Sequence, residues 1–474
     1  MTSRLVVVSN RVPVPQSGAA SGGLAVALRA ALAERGGLWF GWSGKTSGDL
    51  ELESPRTQVF GAITYSLVDL TKKDVEEYYN GFANSSLWPL LHYRLDLTDF
   101  SRKDMAGYFR VNRYFARMLA QQLRPDDIVW VHDYHLIPLA AELRQMGIAN
   151  PLGFFLHIPW PPPDVFLALP PHEHIVRALC TYDLVGFQTA YDADNFVACM
   201  ERENLGIRQV APHLFEGWSR QFRVGVFPIG IETDEFATMA ARAVRNPIVQ
   251  RLRASIGSRR LIIGVDRLDY SKGITQRIEA FNRYVTNNPP ARNSVTYLQV
   301  SPPSRTEVRE YAEMQRQVAE LAGRINGALG DVDWTPIRYV NRAISRPALA
   351  GLYRLGDVGL VTPLRDGMNL VAKEYVAAQD PQSPGVLVIS RFAGAASELG
   401  SGAILVNPYD IDETAAAIHR ALTMPIDERM TRWQRMYEAI QRNDVTRWCE
   451  AFLAELERAG GQHENAHRAL ATSH

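Results

Sequence analysis

The chain has 474 residues, 46% hydrophobic and 22% charged, too long for a single core and too apolar for disorder, so two domains are expected. Lysine plus arginine equals aspartate plus glutamate at 51 each. This leaves no overall footprint for nucleic acid or an anionic membrane, while a local basic pocket stays open. Only Cys180, Cys199 and Cys449 occur, with no CxxC pair, no apolar leader and no membrane-length apolar run, so a reducing, cytoplasmic setting is expected.

In chain order, short apolar runs lie at 5–9, 128–131, 153–156, 184–187 and 224–227, then at 261–265, 295–300, 358–361, 385–389 and 404–406. Helical patterns stand between them, for example at 24–34, 371–379 and 413–422. Most of the apolar runs are continuous, as expected of strands buried on both faces of a parallel sheet. The alternation predicts an α/β fold of βαβ units, a doubly wound parallel sheet. Ten strands are too many for one comfortable sheet, and strand character is weak over 233–258. Two Rossmann-like domains are therefore expected, at 1–235 and 236–458, the C-terminal helix of the second being free to pack back on the first, followed by a polar tail over 459–474.

In open α/β sheets ligands bind beyond the carboxyl ends of strands. Here those ends carry polar, charged or glycine-rich segments. The first run leads to Arg11 and then to Gly22 and Gly23 opening a helix. Two glycines at a helix start admit a phosphate close to free N–H groups, although a plain turn would use them too. The second run leads to His132, Asp133, Tyr134 and His135, and the third to His157. A zinc site is one reading of these histidines and a loop that binds sugar hydroxyls is the other, favoured because the segment follows a strand.

The run at 261–265 leads to Arg267 and Lys272, two cations spaced to bracket a diphosphate and stabilise a leaving nucleoside diphosphate without a metal. The bland alternative is a pair of surface cations bound to Asp266 and Asp269. The run at 295–300 leads to Arg305. The run at 358–361 leads to Asp366, Gly367, Met368, Asn369 and Leu370 opening a helix, with Glu374 further along it. Gly367 is expected to permit the tight turn, and Glu374 to accept from sugar or ribose hydroxyls. A hydrolase would need paired carboxylates, for which Asp133 and Asp366 are candidates. The cations speak against it, because a neutral glycoside does not need them. Two cation sets suit two phosphorylated ligands, with Arg11 and Arg305 at one and Arg267 and Lys272 at the other.

At these residues the chain resembles the trehalose-6-phosphate synthases. The resemblance rests on LVVVSNR at 5–11, SGGL at 21–24, LWFGWSG at 38–44, YYN at 78–80, LWP at 87–89 and HDYHL at 132–136. It continues with RLDYSKG at 267–273 and PLRDGMNLVAKEY at 363–375, and covers the chain to about residue 456. The bacterial single-activity form is the expected type. The resemblance implies a glycosyltransferase B-type fold with an active site between two Rossmann-like domains. It implies retaining transfer from UDP-glucose to glucose 6-phosphate, giving α,α-trehalose 6-phosphate and UDP, with no metal or other cofactor.

By motif, the acceptor falls to Arg11, Trp42, Tyr79, Trp88, Asp133 and Arg305. The donor falls to Gly22, Gly23, His157, Arg267, Lys272, Asp366, Gly367, Met368, Asn369, Leu370 and Glu374. Asp133, Arg267 and Lys272 stand nearest the chemistry, with Asp133 as a covalent nucleophile the minor alternative. The loop 12–20 is expected to close over the ligands. A homo-oligomer, dimer or tetramer, is the expected assembly. The rivals are another phosphorylated acceptor such as glycerol 3-phosphate, and a sugar-nucleotide sensor without turnover.

Overall fold

The computed structural model describes residues 3–15, 25, 28–29, 31–33, 36–48, 54–218, 220–304 and 309–471, with side chains of 309 and 461–471 left aside. The chain divides into two compact units. One comprises Met1–Pro228 with Thr446–His474, and the other Ile229–Val445.

The first unit is built on a ten-stranded sheet. Its strands are β1 (Leu5–Arg11), β2 (Gly37–Thr46), β3 (Arg56–Phe60), β4 (Ile63–Leu70), β5 (Ile128–His132), β6 (Leu152–Phe155), β7 (Leu184–Phe187), β8 (Arg208–Ala211), β9 (Leu214–Gly217) and β10 (Arg220–Val226). The spatial order is β3-β4-β2-β1-β5-β6-β7-β10-β9-β8. The seven strands from β4 to β10 run parallel, and β3, β8 and β9 pair antiparallel at the two edges. Sequence pattern located the buried parallel strands β1, β5, β6, β7 and β10. It missed β3 and β8, whose residues are all exposed and carry no apolar run. It missed β2 because Gly41 and Gly44 interrupt its apolar run. Gly41 is obligatory there, since a Cβ would stand 2.0 Å from the Ser9 carbonyl on the neighbouring strand. Helices α1 (Arg102–Ala120) and α2 (Ala190–Arg202) start under Ser101 and Thr189, whose hydroxyls accept from the N–H groups of Asp104 and Asp192.

The second unit carries six parallel strands: β11 (Arg260–Val265), β12 (Val295–Val300), β13 (Ile337–Val340), β14 (Val358–Val361), β15 (Val386–Ser390) and β16 (Ile404–Val406). Their order is β13-β12-β11-β14-β15-β16. Around them lie α3 (Thr233–Ala243), α4 (Ile274–Asn287), α5 (Arg346–Leu355), α6 (Leu370–Ala378) and α7 (Ile426–Arg442). The unit begins at Ile229 rather than after 235, because α3 packs on α5 and α6. Of the expected helix over 24–34, residues 25, 28–29 and 31–33 are described and are helical.

In both units the crossovers reverse direction at the middle of the sheet. β1 has β2 on one side and β5 on the other, and β11 has β12 on one side and β14 on the other. Such reversals open a crevice beyond the carboxyl ends of the two strands involved. In the first unit that crevice is flanked by Arg11 and Asp133, and in the second by Arg267 and Asp366.

The last helix, α8 (Val445–Ala471), runs on through the stretch where a polar tail was expected, and from Thr446 it belongs to the first unit. Phe452 is fully buried there, its ring 4.6 Å from Trp130, 5.1 Å from Phe227 and 5.8 Å from Phe155. Gly153 and Gly186 leave room for it, since a Cβ at either would stand 2.7–2.8 Å from its ring carbons. Replacing Phe452 by alanine is expected to destabilise this unit by about 3–5 kcal/mol. Urea denaturation followed by tryptophan fluorescence measures the loss.

Candidate active site

In the first unit the sequence-selected residues meet at the ends of β1, β2 and β5. The Arg11 guanidinium lies 5.8 Å from the Trp42 ring centre. Gly44, at φ 84°, makes space for it, because a Cβ would stand 2.5 Å from an Arg11 nitrogen. Trp42 is fixed by its indole N–H, which donates to the Lys45 carbonyl at 2.7 Å, and meets Tyr79 at 5.7 Å between rings. Tyr79 stacks on His135 at 5.8 Å, His135 meets Tyr134 at 3.9 Å with the rings tilted, and Tyr134 meets Trp88 at 5.6 Å. Arg11, Trp42, Tyr79 and Trp88 thus belong to one continuous wall of rings. A cation and ring faces set side by side suit a phosphorylated sugar, whose C–H faces stack and whose phosphate seeks charge.

Asp133 follows directly on β5 and holds φ 77° and ψ 164°, a backbone state disfavoured for a side-chain-bearing residue. Its N–H donates to the Phe155 carbonyl at 2.8 Å, and its Oδ1 accepts from the His157 N–H at 3.4 Å. The end of β6 therefore sets where this carboxylate stands. His157 in turn has Nε2 3.1 Å from Nδ1 of His132, so one ring donates and the other accepts. Burial holds His157 down to about 3, and burial together with its neighbour holds His132 well below the ordinary histidine range. Both rings are neutral at physiological pH. Among the described residues no group of three His, Cys, Asp or Glu side chains is placed to hold a metal.

In the second unit Lys272 is buried and its Nζ lies 2.5 Å from Oδ2 of Asp366. This pair joins the loop after β11 to the loop after β14. Lys272 is therefore a buried cation rather than a surface one, and its charge also acts on Asp266. Asp266 pairs with Arg277 at 2.8 Å, and Asp269 accepts from the Ser271 N–H and from the Tyr311 hydroxyl. Arg267, one residue beyond Asp266, is exposed.

The turn into α6 is built differently from the expectation. The positive φ, 77°, falls on Asn369 rather than on Gly367. Asn369 stays there because its Nδ2 donates to Asp366 Oδ2 at 2.9 Å. The Gly367 carbonyl packs instead on Gly394, where a Cβ would stand 1.8 Å from it. The N–H groups of Gly394 and Ala395 donate to the carbonyls of Asp366 and Met368, bracing the turn from beneath. Cations and the opening of a helix thus share one strand-end crevice, which favours an anion there.

Glu374 lies on α6, with Arg346 paired to Glu232 at 2.8 Å nearby. Burial pushes its carboxyl up to about 7, with Glu232 adding to the rise and Arg346 opposing it. Its neighbour Lys373 is wholly buried against Glu398 and donates to the Ile229 carbonyl at 2.7 Å. Sequence reasoning gave no role to Arg277, Lys373 or Gly394, because each acts through a partner distant in the chain. Gly22, Gly23 and Arg305, and residues 16–20 of the expected closing loop, lie outside the described residues.

Residues 3–458 match the model of glycosyltransferase family 20. The chain belongs to that family. It is 62% identical over 458 residues to a trehalose-6-phosphate synthase of Sinorhizobium fredii, covering 96% of this chain and 98% of the relative. A UDP-forming trehalose-phosphate synthase from Burkholderia xenovorans, solved with glucose-6-phosphate, superposes with a TM-score of 0.91 at 46% identity over 96% of this chain and 100% of that one. A protein from E. coli bound with UDP-2-fluoro glucose superposes at 0.92 and 47% identity over 96% and 99%. The family member described here is a glycosyltransferase of mixed α/β build with two largely parallel sheets. Among its described residues no helix is long and apolar enough to cross a membrane.

The Glu374 carboxyl ionises near 7 when folded and near 4.5 when unfolded. The folded chain therefore holds this proton more tightly, and the stability it confers is lost as pH rises from 4.5 through 7. Glu374→Gln is expected to raise Tm relative to the parent at pH 8, with the difference shrinking toward zero near pH 4.5. Calorimetric scans of both proteins across that window check the sign.

Proposed function

We propose that the protein transfers glucose from UDP-glucose to glucose 6-phosphate with retention, giving α,α-trehalose 6-phosphate and UDP. The observation that carries the reading is the buried Lys272–Asp366 pair joining the loops that bear Arg267 and Asn369. It fixes a cation at a strand-end crevice, where a diphosphate leaving group must be neutralised. The 62% identity to a trehalose-6-phosphate synthase over nearly the full length of both chains supports the same reaction.

In this reading the first unit supplies the acceptor groups. Arg11 draws the phosphate, the rings of Trp42, Tyr79 and Trp88 bound the sugar, and Asp133 accepts from its hydroxyls. Arg305 joins them at the phosphate. The second unit supplies most donor groups: Arg267 and Lys272 meet the diphosphate, the turn from Asp366 to Leu370 meets the glucose, and Glu374 accepts from ribose hydroxyls. His157 and the glycines Gly22 and Gly23 complete the donor contacts.

In the transfer the bond from the anomeric carbon to the β-phosphate oxygen breaks. A bond to the anomeric oxygen of glucose 6-phosphate forms on the same face. The acceptor proton passes to the departing phosphate oxygen, so no protein nucleophile is required. Arg267 and Lys272 stabilise the charge on that oxygen, and positioning supplies much of the remaining barrier reduction. No metal is needed in this scheme, because fixed cations take its place. The reading also holds the protein to be cytoplasmic and a homo-oligomer, dimer or tetramer, which light scattering tests.

Incubation with UDP-glucose and glucose 6-phosphate in EDTA is expected to release UDP and give an α,α-linked disaccharide phosphate by NMR. UDP release only with a different phosphorylated acceptor would overturn the acceptor, and dependence on a divalent cation would overturn the metal-free scheme. Arg267→Ala is expected to lower kcat by about 100–1,000-fold, the usual scale for one lost oxyanion-stabilising donor.

A further inference from the structure

Arg277 lies on α4, has no assigned contact of its own with either ligand, and its side chain is fully buried. Its guanidinium contacts the carboxyl ends of three adjacent strands. Nη1 pairs with Asp266 Oδ2 at 2.8 Å, just after β11, and donates to Gln299 Oε1 of β12 at 3.3 Å. Nε donates to Thr362 Oγ1, just after β14, at 3.0 Å. Nη2 donates to the backbone carbonyl of Lys272 at 3.1 Å. The same cation therefore grips Asp266 at one end of the loop that carries Arg267 and Lys272, and Lys272 at the other.

The surroundings are shaped for it. A Cβ at Gly264 would stand 2.6 Å from Gln299 Oε1 and 2.8 Å from Arg277 Nη1, so a glycine in β11 makes room for the network. At Gly273, where φ is 63°, a Cβ would stand 2.4 Å from the Thr362 carbonyl, which seats the loop's end against β14. Gln299 is held in turn by the Tyr297 hydroxyl and donates to Ser301 Oγ at 2.8 Å.

A buried ion pair adds little stability over a well-packed apolar pair, so stability alone is a poor reason for a buried arginine here. A planar fork with fixed donors does what an apolar side chain cannot: it sets the direction of a backbone carbonyl and a carboxylate together. We propose that Arg277 is the positioning residue that holds Arg267 and Lys272 in the geometry that receives the donor diphosphate. This rests on the assignment of those two cations to the donor.

The test is Arg277→Lys, which keeps the charge beside Asp266 and loses the fork. UDP binding is read by titration calorimetry, with kcat and KM for both substrates and Tm alongside. The expected result is a loss of about 10–100-fold in kcat/KM for UDP-glucose and a similar loss of UDP affinity, the scale of one or two charge-assisted hydrogen bonds. KM for glucose 6-phosphate is expected to stay within about twofold of the parent. A folded variant with parental UDP affinity overturns the proposal. So does a variant whose donor and acceptor constants worsen together in step with Tm, since that marks a merely structural residue.

Should Arg277→Lys fail to fold, Thr362→Val, which removes only the acceptor of Nε, takes over. It is expected to cost UDP affinity about 3–10-fold, and parental affinity there overturns the proposal. A parent protein that does not bind UDP would instead sink the donor assignment beneath it.

Discussion

The carboxylate of Asp366 and the ammonium of Lys272 meet where two neighbouring parallel strands send their chains to opposite sides of a sheet. Both groups are largely withdrawn from water, and neither is tolerable there without the other. Together with the Leu364 and Arg365 N–H groups, which donate to the Ser271 carbonyl at 2.7 and 3.4 Å, the pair fixes the distance between the two loops. Much else follows from it. Asn369 adopts a left-handed backbone because Asp366 is held still enough to accept its amide. The helix that starts after Asn369 then opens toward the crevice, and the chain at Gly394 must be bare so that the turn can rest on it.

The first unit meets the corresponding problem with rings. Arg11 lies along Trp42, and a succession of aromatic contacts runs from there to Trp88. Aromatic side chains lose little conformational freedom on packing and present flat apolar faces, so they keep an exposed cation oriented without neutralising it. The strained backbone at Asp133 belongs to the same logic. A positive φ turns its carboxylate off the strand line, and the hydrogen bond from the His157 N–H holds it there.

Much of this was legible in the sequence because parallel strands buried on both faces leave continuous apolar runs, and ligand-facing loops must begin where those runs stop. That is why Asp133, Arg267, Lys272 and Asp366 were found at strand ends. The exposed edge strands β3 and β8 left no such trace. Arg277 was invisible for another reason: a charged residue inside an amphipathic helix looks the same whether it faces water or a buried partner. Gly394 was unreadable because its requirement comes from a carbonyl at Gly367, distant in the chain. Gly367 was misread in the opposite sense, since glycine in a turn suggests a positive φ that Asn369 in fact supplies.

The return of α8 to the first unit has a consequence for how the chain is made. Phe452 fills the space left by Gly153 and Gly186, and with Trp448 it covers Trp130, yet a ribosome delivers both only after the whole of the second unit. At about 5–20 residues per second, the first unit's sheet is complete for many seconds before the residues that close one side of its core emerge. The unit that begins first is the one that finishes last. During that interval an aromatic patch around Trp130 lies open on nascent protein, and the emergence of α8 rather than the end of the first unit's own stretch becomes the moment at which that core can close.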